Sequence, residues 1–396
     1  MSGGRIKIGI LPKLFLAIAM GALAGFVLPE CAIRALNCFS STFGQFIRFF
    51  VPFIVLGLVT PAIAETGTGA GRMLLVTMGI AYVSTLFAGG FAFCVSDALF
   101  PRMLGGTLDS AANVKSFPAY FTLGIPPVMG ITSALAASFM FGLATVKLDS
   151  AVLRRAFSEL RDVVTLTIGK AFLPLLPLYI LAVIADLTAS GKLAVVGGSC
   201  VAIMLTALCV TTLVLVVQYA VAGAVAGRNP FKALWNMLPA YLTGWGCCSS
   251  AATLPVTLRQ TRKNGVDGKV ADLVVPLCSN VHLAGSMANM VVYTAGFIVL
   301  FGGDISAARY VEFMLMLSII AVASPGIPGG VVLASATIAE SALGFTPERY
   351  ALVIATYMAL DGMGTACNLT GDGAIALIMD RIQRRGSGTE PEKKEE

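Results

Sequence analysis

The sequence predicts an all-α integral membrane fold of eight transmembrane helices plus two re-entrant helical hairpins. Three observations predict it. Of 396 residues, 57% are hydrophobic and only 12% charged, far from the composition of a water-soluble domain. Apolar runs recur at lengths near the roughly 20 residues that a helix needs to cross a bilayer. Two further apolar segments are each interrupted at their middle by small and polar residues. The single histidine and nine cysteines, several of them inside apolar runs, suggest neither a zinc site nor a disulfide scaffold. No basic tract interleaved with aromatics points to nucleic acid.

Taken in order, Ile8 to Leu28 is a first span rather than a cleaved leader, since it is long and lacks a clear small-residue cleavage site before Pro29. Cys31 and Cys38 follow in what reads as a short loop, where reduced thiols are the simpler expectation. Phe43 to Ala64 is a second span, and a glycine-rich turn, Gly67 to Arg72, leads to a third from Met73 to Val95. Pro101, Gly105, Gly106 and Pro118 make Ser96 to Pro127 a loop with short pieces of structure. Met129 to Val146 is a fourth span, marginal in length. Lys147 to Asp162 is amphipathic and runs from the interface into a fifth span, Val163 to Ala185. Leu193 to Val225 is a sixth, closed by Gly227 to Pro230.

The interrupted segments centre on Gly246 to Val256 and on Ala323 to Gly330. Each flank is too short to span, so helix, tip and helix would enter and leave from one face. Non-helical backbone at membrane depth is tolerated only where protein or a cavity covers it, so the tips mark a site. A seventh span, Val270 to Leu300, is broken at Cys278 to Ser286, and Pro347 to Arg381 is the eighth. Paired interruptions in corresponding positions point to inverted repeats and the binding site of a secondary transporter. With eight spans and two hairpins the basic clusters fall on the side of both termini, which makes that side cytoplasmic.

The chemistry concentrates in DGMGTACNLTGD, Asp361 to Asp372. At 100° per residue Asp361, Thr365, Asn368 and Asp372 fall within about 60° of arc. Carboxylates at membrane depth are costly, so such a stripe faces a cavity and marks a substrate or ion path.

SSAATLPVTLR (Ser249 to Arg259), GIPGG (Gly326 to Gly330) and the Asp361 to Asp372 stretch resemble the dicarboxylate/amino acid:cation symporter family, the glutamate transporter homologues. The resemblance is strong from about Tyr241 to Ile378 and follows segment order elsewhere. It implies a homotrimer in a cell's inner or plasma membrane, working by an elevator motion, with Na+ as the coupling ion and no organic cofactor. It divides the chain into scaffold helices (1–72 and 129–192), a third span with its loop (73–128) and a sixth span (193–228) belonging to the moving unit, the core of that unit (229–383), and a disordered tail (384–396).

The resemblance also implies a site. Asp361 would hold a substrate ammonium, Asn368 the α-carboxylate with backbone N–H groups near Ser249, Ser250 and Gly326, and Thr365 would lie beside them. Gly364 stands where acidic-substrate members carry an arginine, and Cys248 where some relatives carry the other. A side-chain carboxylate would have no partner, so a small neutral amino acid is expected. Cation positions carried over are Asp372, Asn368, Cys278, Asn280, Ser324, Tyr82 and Thr85, with His282, Leu283, Ala284, Gly285 and Ser286 in place of the family's Asn-Met-Asp-Gly-Thr. Sodium prefers oxygen, so that exchange should weaken one site, and a proton on His282 would be its replacement. Remaining alternatives are an uncoupled exchanger, an acidic amino acid or dicarboxylate symporter, and an intramembrane enzyme using Cys247, Cys248, Ser249 or Ser250.

Overall fold

A computed structural model of the chain describes residues 10–66, 72–104, 117–191, 193–323 and 329–386, which carry helices and no strand. The tail beyond 386, the glycine-rich turn at 67–71 and the second tip at 324–328, including Ser324 and Gly326, lie outside the described residues.

The helices in order are α1 (Ile10–Val27), α2 (Glu30–Thr66), α3 (Arg72–Leu104), α4 (Ile131–Lys147), α5 (Ala151–Thr167), α6 (Leu173–Ala189) and α7 (Leu193–Ala226). There follow α8 (Pro230–Asn236), α9 (Leu238–Cys247), α10 (Ser250–Lys263), α11 (Gly268–Val281), α12 (Ala284–Leu300), α13 (Ala307–Ala323), α14 (Gly330–Ala334), α15 (Ala336–Leu343) and α16 (Pro347–Gly386). Among the described residues, five stretches are long and apolar enough to cross a membrane: Glu30–Pro61, Met73–Leu104, Ala151–Ala189, Gly197–Ala226 and Gly268–Leu300.

Two expectations are corrected. The loop around Cys31 and Cys38 is the first two turns of α2, and both thiols are free. Seven residues of helix rise about 10 Å, beyond the reach of a disulfide; Cys38 Sγ instead accepts from the Tyr120 N–H at 3.1 Å. The third helix does not stop before Ser96 but continues through Pro101 to Leu104. One proline removes one N–H, and only the last turn of the helix follows it, so the long apolar run before it carries the helix through.

The chain forms two compact units. The first comprises 1–68, 93–206 and 290–360. In it α2 packs on α4, α5 and α6, and α1 packs on α6. Pro174 lacks an N–H, and the helix widens into a π turn at Ile168–Phe172. That turn sets Phe172 among Phe43, Phe46 and Phe50, with ring centroids 5.1–5.8 Å away. The extended segment after residue 116 lies along α2: Arg34 Nε donates to the Pro118 carbonyl at 3.0 Å, and Asn37 Nδ2 to the Phe117 carbonyl at 2.7 Å.

The second unit comprises 69–92, 207–289 and 361–396. Its first feature is the helix–tip–helix expected from sequence. Asn229 caps α8 by accepting from the Lys232 N–H, α9 ends at Cys248 in the left-handed region (φ 49°), and Ser249 caps α10 by accepting from the Ala252 N–H at 3.4 Å. The open end of the hairpin is stitched shut. Asn236 Nδ2 donates to Asn264 Oδ1 at 2.8 Å, Asn264 Nδ2 to the Ala233 carbonyl at 3.0 Å, and Arg228 to the Asn264 and Gly265 carbonyls. The start of α11 and the end of α16 meet at the same place, where the Asp267 N–H donates to Asp380 Oδ1 at 3.0 Å.

Candidate functional site

Every described residue of the candidate site belongs to the second unit. Its frame is the interruption between α11 and α12. His282 is extended (φ −91°, ψ 101°), which frees backbone groups that an unbroken helix would pair. The Leu283 N–H is taken by Thr85 Oγ1 of α3 at 3.1 Å. The N–H groups of Gly285 and Ser286, in the first turn of α12, both donate to Asn368 Oδ1, at 2.8 and 3.3 Å. Asn368 therefore caps α12 from another helix, accepting from the two positions that a local cap serves. Its Nδ2 donates to Ser286 Oγ at 3.0 Å.

One turn along α16, Asp372 meets the same interruption. His282 Nδ1 lies 3.0 Å from Asp372 Oδ1, and both side chains are 0% exposed. On the far edge of the ring, Nε2 lies 3.1 Å from Ser84 Oγ and 3.2 Å from Gln218 Nε2, and Gln218 Nε2 donates to Ser84 Oγ at 2.9 Å. This arrangement is satisfied by an imidazole carrying its proton on Nδ1 and accepting at Nε2, an assignment that rests on the hydrogen-bond partners. Asp372 Oδ2 and Gln218 Oε1 are buried with no partner among the described residues. A buried oxygen without a donor is the feature that a bound cation would satisfy.

Toward the other end of the stripe Asp361 is buried, one residue after the kink of α16 at Leu360 (φ −123°, ψ 17°). The α9 end of the hairpin approaches here. A Cβ on Gly362 would stand 2.1 Å from the Trp245 carbonyl and 3.0 Å from Cys248 Sγ, so only glycine allows the tip to lie beside Asp361. Thr365 is half-buried and its Oγ1 donates to the Asp361 carbonyl at 3.2 Å. A Cβ on Gly364 would stand 2.9 Å from Asn289 Nδ2.

The structure thus brings together the Ser249–Ser250 tip, Asp361, Gly364, Thr365, Asn368, His282, Asp372 and Thr85. Cys278 is buried one turn before the interruption, and its carbonyl accepts from the His282 N–H at 2.8 Å. Asn280 is exposed and its Nδ2 turns back to the Pro276 carbonyl at 3.1 Å. Tyr82 is half-buried on α3. Sequence reasoning missed Ser84, Gln218 and Asn289. Gln218 carried a signal: it is the one side-chain amide in α7, and a polar group inside an apolar span is a functional candidate. Ser84 and Gln218 also reach a cavity of about 480 Å³ whose walls include Val83, Phe87, Val221 and Ile375.

Among known proteins, the chain is similar to the serine/threonine transporter SstT of Acinetobacter baylyi, 22% identical over 402 residues that cover 96% of this chain and 98% of that protein. The serine/threonine transporter SstT of Streptococcus thermophilus is 24% identical over 83% of the chain and 84% of its own length. The human neutral amino acid transporter A is 27% identical over 161 residues, 40% of this chain and 30% of that protein. These relatives are transporters, not enzymes, and the broken helices, the buried polar stripe and the apolar spans fit amino-acid symport by a multi-pass membrane protein. The family model described as the sodium:dicarboxylate symporter family matches residues 10–382, so the chain belongs to that family.

Proposed function

We propose that the chain is a sodium-coupled symporter of a small neutral amino acid. The observation that carries the reading is the space over Gly364, which a buried, uncharged carboxamide fills. No lysine or arginine lies in the sequence from Asp361 to Asp380. Asp361 supplies a carboxylate for an ammonium, and the start of α10 at the Ser249–Ser250 tip supplies N–H groups for an α-carboxylate. A second carboxylate on the substrate would be buried without a counter-charge, at a cost of about 3–5 kcal/mol. The serine/threonine and neutral amino acid relatives agree with this choice.

Asn368 holds the interruption in place rather than reaching for substrate alone, because both ends of its amide are already bonded to α12. Asp372 Oδ2 is the anionic oxygen for a sodium ion travelling with the substrate. The rest of the reading follows the family pattern: eight spans and two re-entrant hairpins, scaffold helices in 1–72 and 129–192, a transport unit from the remainder, a homotrimer in membrane lipid, both termini cytoplasmic, and an elevator motion. A second reading is favoured by the 3.0 Å contact between His282 and Asp372. In it a proton on the imidazole takes the place of one sodium.

Uptake of serine, alanine and aspartate into proteoliposomes, with sodium and proton gradients imposed separately, tests both. Accumulation of serine or alanine driven by sodium is expected. Aspartate accumulation in preference to both would overturn the neutral-substrate reading. Unchanged pH dependence in His282→Gln would overturn the proton reading.

A further inference from the structure

Asn289 lies one turn into α12, after Gly285 and Ser286, and is 0% exposed. Neither its Oδ1 nor its Nδ2 has a hydrogen-bond partner among the described residues. A carboxamide offers two donor hydrogens and two acceptor lone pairs, and native proteins rarely bury one with all of them unused. Its place is specific. Gly364 sits between Asp361 and Asn368 on α16, and Asn289 Nδ2 occupies the position 2.9 Å from where a Cβ at 364 would stand. The glycine and the amide are complementary: a side chain at 364 would displace the carboxamide. The helix that Asn368 caps therefore also presents an unpaired, uncharged donor and acceptor to the middle of the candidate substrate stripe.

We infer that Asn289 is a specificity-determining residue, whose carboxamide exchanges hydrogen bonds with an uncharged polar group on the substrate side chain, a hydroxyl above all. The inference rests on the neutral amino-acid reading above and extends it from charge to chemical type. An alkyl side chain in the same place leaves the amide unpaired. A hydroxyl pairs with it in either direction, accepting from Nδ2 or donating to Oδ1. Selection between a hydroxyl and a methyl of equal size thus comes from what the buried amide loses, which is where polar sites discriminate most strongly.

The test measures dissociation constants of L-serine and of L-2-aminobutyrate, which carries a methyl where serine has its hydroxyl, on the purified full chain in sodium-containing buffer. The wild-type protein is expected to prefer serine by about tenfold, the scale of one hydrogen bond made in a buried site. In Asn289→Leu the two constants should converge to within about twofold, because the branched shape is kept and the pairing removed. Gly364→Ala pushes on the same carboxamide from α16 and should reduce the preference as well, an independent arm if the leucine variant does not fold. Equal affinities in the wild type, or a preference retained in Asn289→Leu, would overturn the inference while leaving neutral amino-acid binding intact. Binding of aspartate with neither serine nor 2-aminobutyrate binding would overturn both.

Discussion

A double-mutant cycle across His282 and Asp372 asks how much of the second unit's stability sits in one contact. Both side chains are fully buried, and Asp372 has a single hydrogen-bond partner, at Oδ1, among the described residues. His282→Leu keeps an apolar body of similar bulk and leaves the carboxylate alone. Removing one member of a buried pair costs about 3–5 kcal/mol, so about 3 is expected. Asp372→Asn keeps an acceptor oxygen for the imidazole N–H and replaces a charge-assisted bond by a neutral one, at about 1 kcal/mol. The double variant buries an unpaired amide but no unpaired charge, and should lose about 2 kcal/mol rather than the sum. The coupling is then about 2 kcal/mol. Trp235 and Trp245, the two tryptophans of the chain, both lie in the second unit, so reversible unfolding in mixed micelles followed by intrinsic fluorescence reads the relevant part. Additive losses within about 0.5 kcal/mol would refute the reasoning, since contacting groups in one network should couple.

Three further outcomes follow from the same geometry. In Gly371→Ala the new Cβ would stand 2.6 Å from both Gln218 Oε1 and His282 Cε1; the forced shift should destabilise by about 1–3 kcal/mol in the same unfolding experiment. Cys248→Gly relieves a non-glycine residue in the left-handed region at the first tip and should stabilise by about 1 kcal/mol, whereas a loss there would argue that the thiol's contacts matter more than its backbone. Asn368→Ala removes the cap from α12 and should weaken serine binding. It should also make serine affinity less dependent on sodium concentration, read as a smaller shift in serine Kd between low and high sodium.

How far the sequence reached depends on what each residue's signal was. The helices of the second unit were legible because apolar runs and their interruptions have lengths, and a bilayer turns length into architecture. The interruption at His282 and Leu283 could be placed because small and polar residues from Cys278 to Ser286 cannot all be spent on lipid. The start of α2 at Glu30 could not. A polar stretch carrying Arg34 and Asn37 resembles a loop until the contacts that neutralise it are seen: Arg34 on the Pro118 carbonyl and the Tyr120 ring, and Asn37 on Asp186. Pro101 was over-read for a similar reason, since its cost is one hydrogen bond inside a long helix. Asn289 and Ser84 were invisible because a single amide or hydroxyl among apolar neighbours says nothing of its orientation until the helix opposite is in place. Gln218 differs from both, since one amide in a uniformly apolar run stands out in the sequence itself.

The way α16 holds the interruption gives the proposed coupling a physical basis. Asn368 grips the N-terminus of α12 and Asp372 grips His282 at the C-terminus of α11, and these two residues are four apart on one helix. A helix offers side chains four apart as neighbours on one face. The two ends of the break are therefore tied to a single rigid edge, separated by one turn. In the proposed reading a cation drawn to Asp372 Oδ2 would change the charge against which the imidazole is held, and so the position of the residue that begins the break. In the same reading a substrate carboxylate accepting from Asn368 Nδ2 would draw that amide away from Gly285 and Ser286, the residues that end it. Only Leu283 and Ala284 lie between, and the Leu283 N–H is itself fixed by Thr85. A displacement at one end has little slack in which to dissipate, so an ion and a substrate bound as proposed would act on the same few backbone torsions. Such linkage would be reciprocal by thermodynamic necessity: if sodium raises serine affinity by some factor, serine must raise sodium affinity by the same factor.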